Sequence, residues 1–137
     1  MEATLQHWQL FFFAKDGIEN RNRTMTDFFE FVKSDKQVFE PTGHMYLYGQ
    51  VTGNPKFSDG SYICSSCVVK IERRVAGPQP MILAATTYSG SIYTFESTDC
   101  LRGMRLMIED YTQNGKLSSE SGRYVQDFGD AAYNYLI

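Results

Sequence analysis

The stretch Met81-Ile-Leu-Ala-Ala-Thr-Thr-Tyr88, followed by Ser89-Gly90 and then Ser91-Ile-Tyr-Thr-Phe95, decides the fold class. Two runs rich in β-branched and aromatic residues flank a pair in which Gly90 supplies the positive φ that hairpin turns need. The spacing predicts two antiparallel strands with a tight two-residue connection. Before it, Ala76-Gly-Pro-Gln-Pro80 reads as a loop, Ser61–Arg73 as a strand, Gly53-Asn-Pro-Lys-Phe-Ser-Asp-Gly60 as a turn-forming run and Met45–Thr52 as a further strand. These segments make an antiparallel meander. The aromatic run from His7 to Lys15, with Trp8-Gln-Leu-Phe-Phe-Phe13 inside it, adds a fifth strand to a sheet curled toward a small barrel.

Helical spacing appears on either side of this sheet. Asp16–Arg23 is polar and reads as a loop, while Thr24-Met-Thr-Asp27 matches the capping pattern of a helix start. Met25, Phe28, Phe29, Phe31 and Val32 then recur at helical intervals and predict a helix to about Lys36, its apolar side packed on a sheet. Ser97-Thr-Asp99 offers caps for a second helix from Cys100 to about Tyr111, in which Leu101, Met104, Ile108 and Tyr111 share a face. Asn114-Gly115 ends it. Val125, Phe128, Ala132 and Tyr135 predict a third helix close to the end of the chain. The expected fold class is α+β: an antiparallel β-meander of about five strands, barrel-like, with two or three packed helices in a single domain over residues 1–137.

Composition sets the class of protein. The 137 residues are 42% hydrophobic and 21% charged, with 20 Phe, Tyr and Trp together, enough to bury a core without metal or disulfide. No apolar run approaches the about 20 residues that span a bilayer, and the N-terminus lacks the pattern of a signal peptide, so the expected location is cytoplasmic, with no membrane partner. The net charge of -3 is unevenly placed: residues 1–106 carry 11 acidic and 11 basic side chains, whereas Glu109, Asp110, Glu120, Asp127 and Asp130 outnumber Lys116 and Arg123 in the remainder. No basic stripe exists to release counterions from a phosphate backbone, so non-specific nucleic-acid binding is not expected.

Cys64, Cys67 and Cys100 cannot all pair within one chain, which suits a reducing compartment. Cys64-Ser-Ser-Cys67 has the C-x-x-C spacing, but it lies in a strand-like run rather than at a helix start, and a structural zinc site would need a second close pair. Buried or half-buried strand cysteines are the expectation, with no metal and no cofactor. Hydrolytic chemistry would need a nucleophile beside a base. The chain has no G-x-S-x-G elbow, no phosphate-binding glycine motif, and only His7 and His44, in unrelated sequence contexts. Glu109 and Asp110, being adjacent, would splay apart on a helix. The expectation is a protein that is not an enzyme.

Binding fits better. Arg102 and Arg105 on one helical face would hold an anion, and Tyr88 or Tyr93, beside the Ser89-Gly90 turn, would stack on a planar group. The ordinary alternative is a solvated ion pair of Arg105 with Glu109 and tyrosines finishing a sheet face. A protein partner suits the same composition, since Phe, Tyr and Met, 25 in all, supply contact surface.

Leu47-Tyr-Gly-Gln-Val51, Asn54-Pro-Lys-Phe57, Asp59-Gly60, Val68-Val-Lys-Ile-Glu72 and Thr87-Tyr-Ser-Gly-Ser-Ile-Tyr93 together resemble a pattern in short proteins of bacterial phages, prophages and other mobile elements. The pattern spans residues 45–96 and contains no catalytic residues, and Ile63-Cys-Ser-Ser-Cys67 departs from it. The resemblance implies a setting in which small accessory proteins act on host defence. The first expectation is therefore a non-enzymatic inhibitor of a host defence protein, anti-CRISPR-like, acting by direct contact. The alternative is an oligomeric sponge that sequesters a nucleotide signal through Arg102 or Arg105 and aromatic rings, and a third is a structural accessory subunit. Homo-oligomerisation is compatible with each.

Overall fold

The computed structural model describes residues 1–75 and 81–100. The architecture is α+β and mostly β. Seven strands, β1 (Glu2–Phe11), β2 (Val38–Phe39), β3 (Tyr46–Thr52), β4 (Tyr62–Cys64), β5 (Val68–Val75), β6 (Ile82–Thr87) and β7 (Ile92–Glu96), form one sheet in the order β2-β5-β6-β7-β1-β3-β4. A 3-10 turn, Ala14–Asp16, leads into α1 (Ile18–Lys33). Among the described residues no helix is long and apolar enough to cross a membrane.

Several expectations change. Among the described residues the sheet has seven strands, not five, and it is open: β2 and β4 are its edges, so the barrel is not closed. The meander is also interrupted, because β1 enters the middle, antiparallel to β3 but parallel to β7. What was expected as one strand over Ser61–Arg73 is two, divided at Ser65-Ser66-Cys67. There the chain leaves β3, held by bonds from Ser65 N to Leu47 O and Val68 N to Met45 O, and joins β6. Among the described residues α1 is the one α-helix. The helices expected over 100–111 and 125–137 lie outside the described residues but for Cys100, as does the loop 76–80.

The hairpin of β6 and β7 forms with a longer connection than expected. Gly90 N donates to Thr87 O and Thr87 N to Ser91 O, while Gly90 has φ 90°, so the turn places glycine at the left-handed position of a three-residue loop.

β1 starts at Glu2, five residues before the expected strand, and owes its pattern to a bulge. Ala3 and Leu5 are buried at odd positions, Trp8 and Leu10 at even ones, and the register with β3 shifts between Gln6 and Gln9. One extra residue reverses the alternation, and without it Trp8 would face the other side of the sheet. His7 occupies the bulge with φ 53°, a conformation rare outside glycine. Opposite it stands Gly49, where a Cβ would lie 3.0 Å from Gln6 O and 3.1 Å from Trp8 Cα, so a side chain would press on the bulged backbone.

Helix α1 begins six residues before the expected Thr24, which is buried in its interior, and ends at Lys33. The capping pattern misleads because the polar residues 18–23 are helical too: Gly17 occupies the N-cap with no side-chain bond, and Arg21 N donates to Gly17 O. The expected apolar face holds. Met25, Phe28, Phe29, Phe31 and Val32 are all buried, and Phe28 meets Trp8 edge-on at 5.9 Å between ring centres. At the other end of α1 the Arg73 guanidinium lies 4.5 Å over the Phe31 ring and donates to Phe31 O, to Ser34 O at 2.7 Å and to Lys36 O at 2.6 Å. This closes the helix C-terminus, where a cation complements the dipole.

Candidate functional site

Asp16 ends the 3-10 turn immediately before the N-cap of α1, and the loop Pro41–His44 crosses this helix start on its way into β3. The crossing is close. Asn20 Nδ2 donates to His44 O at 3.1 Å, and a Cβ on Gly43 would lie 1.6 Å from Asn20 Oδ1. Only glycine leaves room for the Asn20 amide, and this contact seats the loop against the helix.

Between them lies a groove of about 650 Å³ lined by Asp16, Asn20, His44 and Cys67 among others, and a second hollow of about 400 Å³ shares Asp16 and Asn20 with it. That is within the size range of small-ligand sites. His44 Nδ1 lies 2.8 Å from Asp16 Oδ1, with the His44 side chain 65% exposed and that of Asp16 only 6%. A carboxylate accepts, so Nδ1 is the donor. Asp16 Oδ2 is covered and has no hydrogen-bond partner. A buried acceptor left unmade costs about 1–3 kcal/mol, more for a charged group, so this oxygen marks a place where a donor would be held strongly.

Tyr46, the first residue of β3, follows His44 by two positions. Its phenol pKa is raised by burial, then by the charge of Asp16 and the thiols of Cys67 and Cys64, which keeps the hydroxyl protonated. Burial also pushes the Cys64 thiol up to about 11, so at neutral pH it is neither nucleophile nor thiolate ligand. Among the described residues no group of three or more His, Cys, Asp or Glu could hold a metal ion.

Tyr46 also starts a tier of rings across β1, β3 and β4. Phe13 meets Tyr46 edge-on at 4.7 Å and Phe11 at 5.0 Å, and Tyr48 stacks on Tyr62 at 5.6 Å with their planes 16° apart. Residues 47, 49 and 51 of β3 are buried, while Tyr46, Tyr48 and Gln50 are half-buried on the opposite face. Phe13 and Tyr62 are 40% and 45% exposed.

The residues expected to bind are placed apart. Tyr88, at the hairpin tip, is 85% exposed, whereas Tyr93 is buried in β7 with its hydroxyl 3.3 Å from Asn54 Nδ2, which leaves no ring face for a ligand. Arg102 and Arg105 lie outside the described residues. The sequence does not mark Asp16, Asn20 and His44 as a site, because Asp16 and His44 stand 28 positions apart and none of the three sits in a motif. The two histidines, unrelated in sequence, share one arrangement: His7 Nδ1 lies 3.3 Å from Asp99 Oδ1, and the strained His7 backbone N–H donates to Asp99 Oδ2 at 2.7 Å. The signal available was the turn composition of Pro41-Thr-Gly-His44, which marks a loop but not its partner. No family model matches the chain, and no curated protein or solved structure matches it.

Proposed function

We propose that this chain is a non-enzymatic binding protein that acts by direct contact with a protein partner. The observation that supports this reading is the tier of Phe13, Tyr46, Tyr48 and Tyr62, an aromatic surface at the β4 edge of the sheet, where rigid rings bring large contact area at little entropic cost. Catalysis draws less support. Among the described residues neither histidine ring is hydrogen-bonded to a Ser, Thr, Cys or Tyr side chain, as nucleophile activation would require. The resemblance to proteins of phages and mobile elements suggests the partner: a host defence protein whose inhibition, as by anti-CRISPR proteins, needs occupancy only. The nucleotide-sponge reading keeps Tyr88 as an exposed ring but not Tyr93, and the groove carries the Asp16 carboxylate, which repels an anion.

The test is capture from a host lysate by the wild-type chain and by a Phe13→Ser, Tyr62→Ser variant whose thermal midpoint is unchanged. One reproducible partner, retained by the wild type and lost by the variant, is expected. Equal capture by both, or an ultraviolet-absorbing nucleotide released on heating the purified protein, would overturn the reading.

A further inference from the structure

We propose that the Asp16 groove receives the guanidinium of an arginine side chain presented by the protein partner, an inference that rests on the contact reading above. Three observations converge on this chemistry. The Asp16 side chain is more than nine-tenths buried, its Oδ2 is covered and has no hydrogen-bond partner, and the residue borders two adjoining hollows. It therefore offers an acceptor, already desolvated, to a donor of positive charge. Lys15, the nearest cation in sequence, does not supply it: its ammonium lies over the Phe13 ring at 5.5 Å. Finally, the aromatic tier adjoins the groove, since Lys15, which lines it, lies over the Phe13 ring and Phe13 packs on Tyr46, so a side chain entering there belongs to the same contact surface.

A guanidinium suits this place better than an ammonium. Its planar fork presents two parallel N–H groups to a carboxylate, it is weakly hydrated, and it lies flat on aromatic rings. The chain already holds one in this way, with Arg73 over Phe31 and its N–H groups on carbonyl oxygens. Entry requires the His44 ring, 65% exposed, to turn away from Oδ1 and the Asp16 carboxylate to rotate so that its covered Oδ2 meets the fork as well. His44 is thus a gate that occupies the carboxylate in the free protein. Glu19 adds negative charge at the rim and Arg23 opposes it, so the fit depends on the carboxylate rather than on the net charge of the rim.

The experiment uses the full chain and methylguanidinium chloride as probe, followed by ¹H–¹⁵N NMR at constant ionic strength, with methylammonium chloride in parallel. Saturable shifts confined to residues 15–20, 41–46 and 67–69 are expected, with methylguanidinium binding at least fivefold tighter than methylammonium. Asp16→Asn should weaken it at least tenfold with the remaining spectrum unchanged, and His44→Ala should bind as tightly as the wild type or more so. Shifts that do not saturate, equal affinity for the two cations, or undiminished binding by Asp16→Asn would overturn the proposal. The wild-type comparison of the two cations stands even if a variant fails to fold. Because the probe needs no partner, failure here retires the groove and leaves the Phe13–Tyr62 surface to its own test. If that surface test fails while methylguanidinium still binds, it is the arginine of a partner that is overturned.

Discussion

Replacing Gly43 by alanine should loosen the loop that carries His44, and the cost can be worked from the contacts. The new Cβ would lie 1.6 Å from Asn20 Oδ1, 2.7 Å from Asn20 Cγ and 2.9 Å from Thr24 Oγ1. Asn20 must therefore rotate away and give up its bond to His44 O, a loss of about 1 kcal/mol for a neutral hydrogen bond. Thr24 is buried and on the helix interior, so the remaining overlap is relieved only by shifting the loop, at about 1 kcal/mol more, the lower end of overpacking costs. Gly43→Ala should thus destabilise the chain by about 2 kcal/mol. In an Asn20→Ala background the amide is already absent, and the same substitution should cost about 1 kcal/mol, leaving a coupling of about 1 kcal/mol between the two sites. Urea unfolding of the four proteins measures it; with a slope of about 2 kcal/mol per molar, Gly43→Ala should lower the midpoint by about 1 M in the native background and by about half that in the other. Equal costs in the two backgrounds would refute the account of Asn20 as the residue that holds the loop.

Arg73→Lys keeps the charge but loses the fork that reaches Phe31 O, Ser34 O and Lys36 O, and should destabilise by about 1.5–3 kcal/mol in the same assay. Cys64 has its thiol pushed up to about 11 from an ordinary value of about 9, so the folded state holds this proton more tightly. Its stabilising contribution is complete below pH about 9 and is lost as pH rises toward about 11. Cys64→Ser should flatten the fall in stability over that window, and alkylation of Cys64 by iodoacetamide at pH 8 should be slower than that of an unfolded control. Tyr93→Phe removes one long hydrogen bond to Asn54 and should cost about 1 kcal/mol or less, without altering partner capture.

The parts legible in the sequence are those fixed by near neighbours. The strands at 46–52, 82–87 and 92–96 and the apolar face of α1 follow from periodicity within a few residues, because a strand or helix that buries one side must repeat its apolar positions at its own pitch. The start of α1 was not legible: Thr24 and Asp27 carry a capping pattern that tertiary packing overrides, since Arg21 and Thr24 are buried and Asn20 is engaged by the loop. The bulge at His7 was hidden for a similar reason. A reversed alternation from Leu5 to Trp8 reads as noise until β3, with Gly49 opposite, shows where the extra residue goes.

By itself the sequence determined an α+β class, a mostly antiparallel β-region, and which residues of the first helix face the core. Those properties depend on composition and local period. The tertiary structure decided the parallel placement of β1 beside β7, the open edges of the sheet, and the meeting of Asp16 with His44 and of His7 with Asp99. These join positions 28 to 92 residues apart, and no local preference encodes which distant partner a strand edge or a carboxylate will find. Only burial of the whole apolar surface at once, with each covered polar group seeking its partner, selects them.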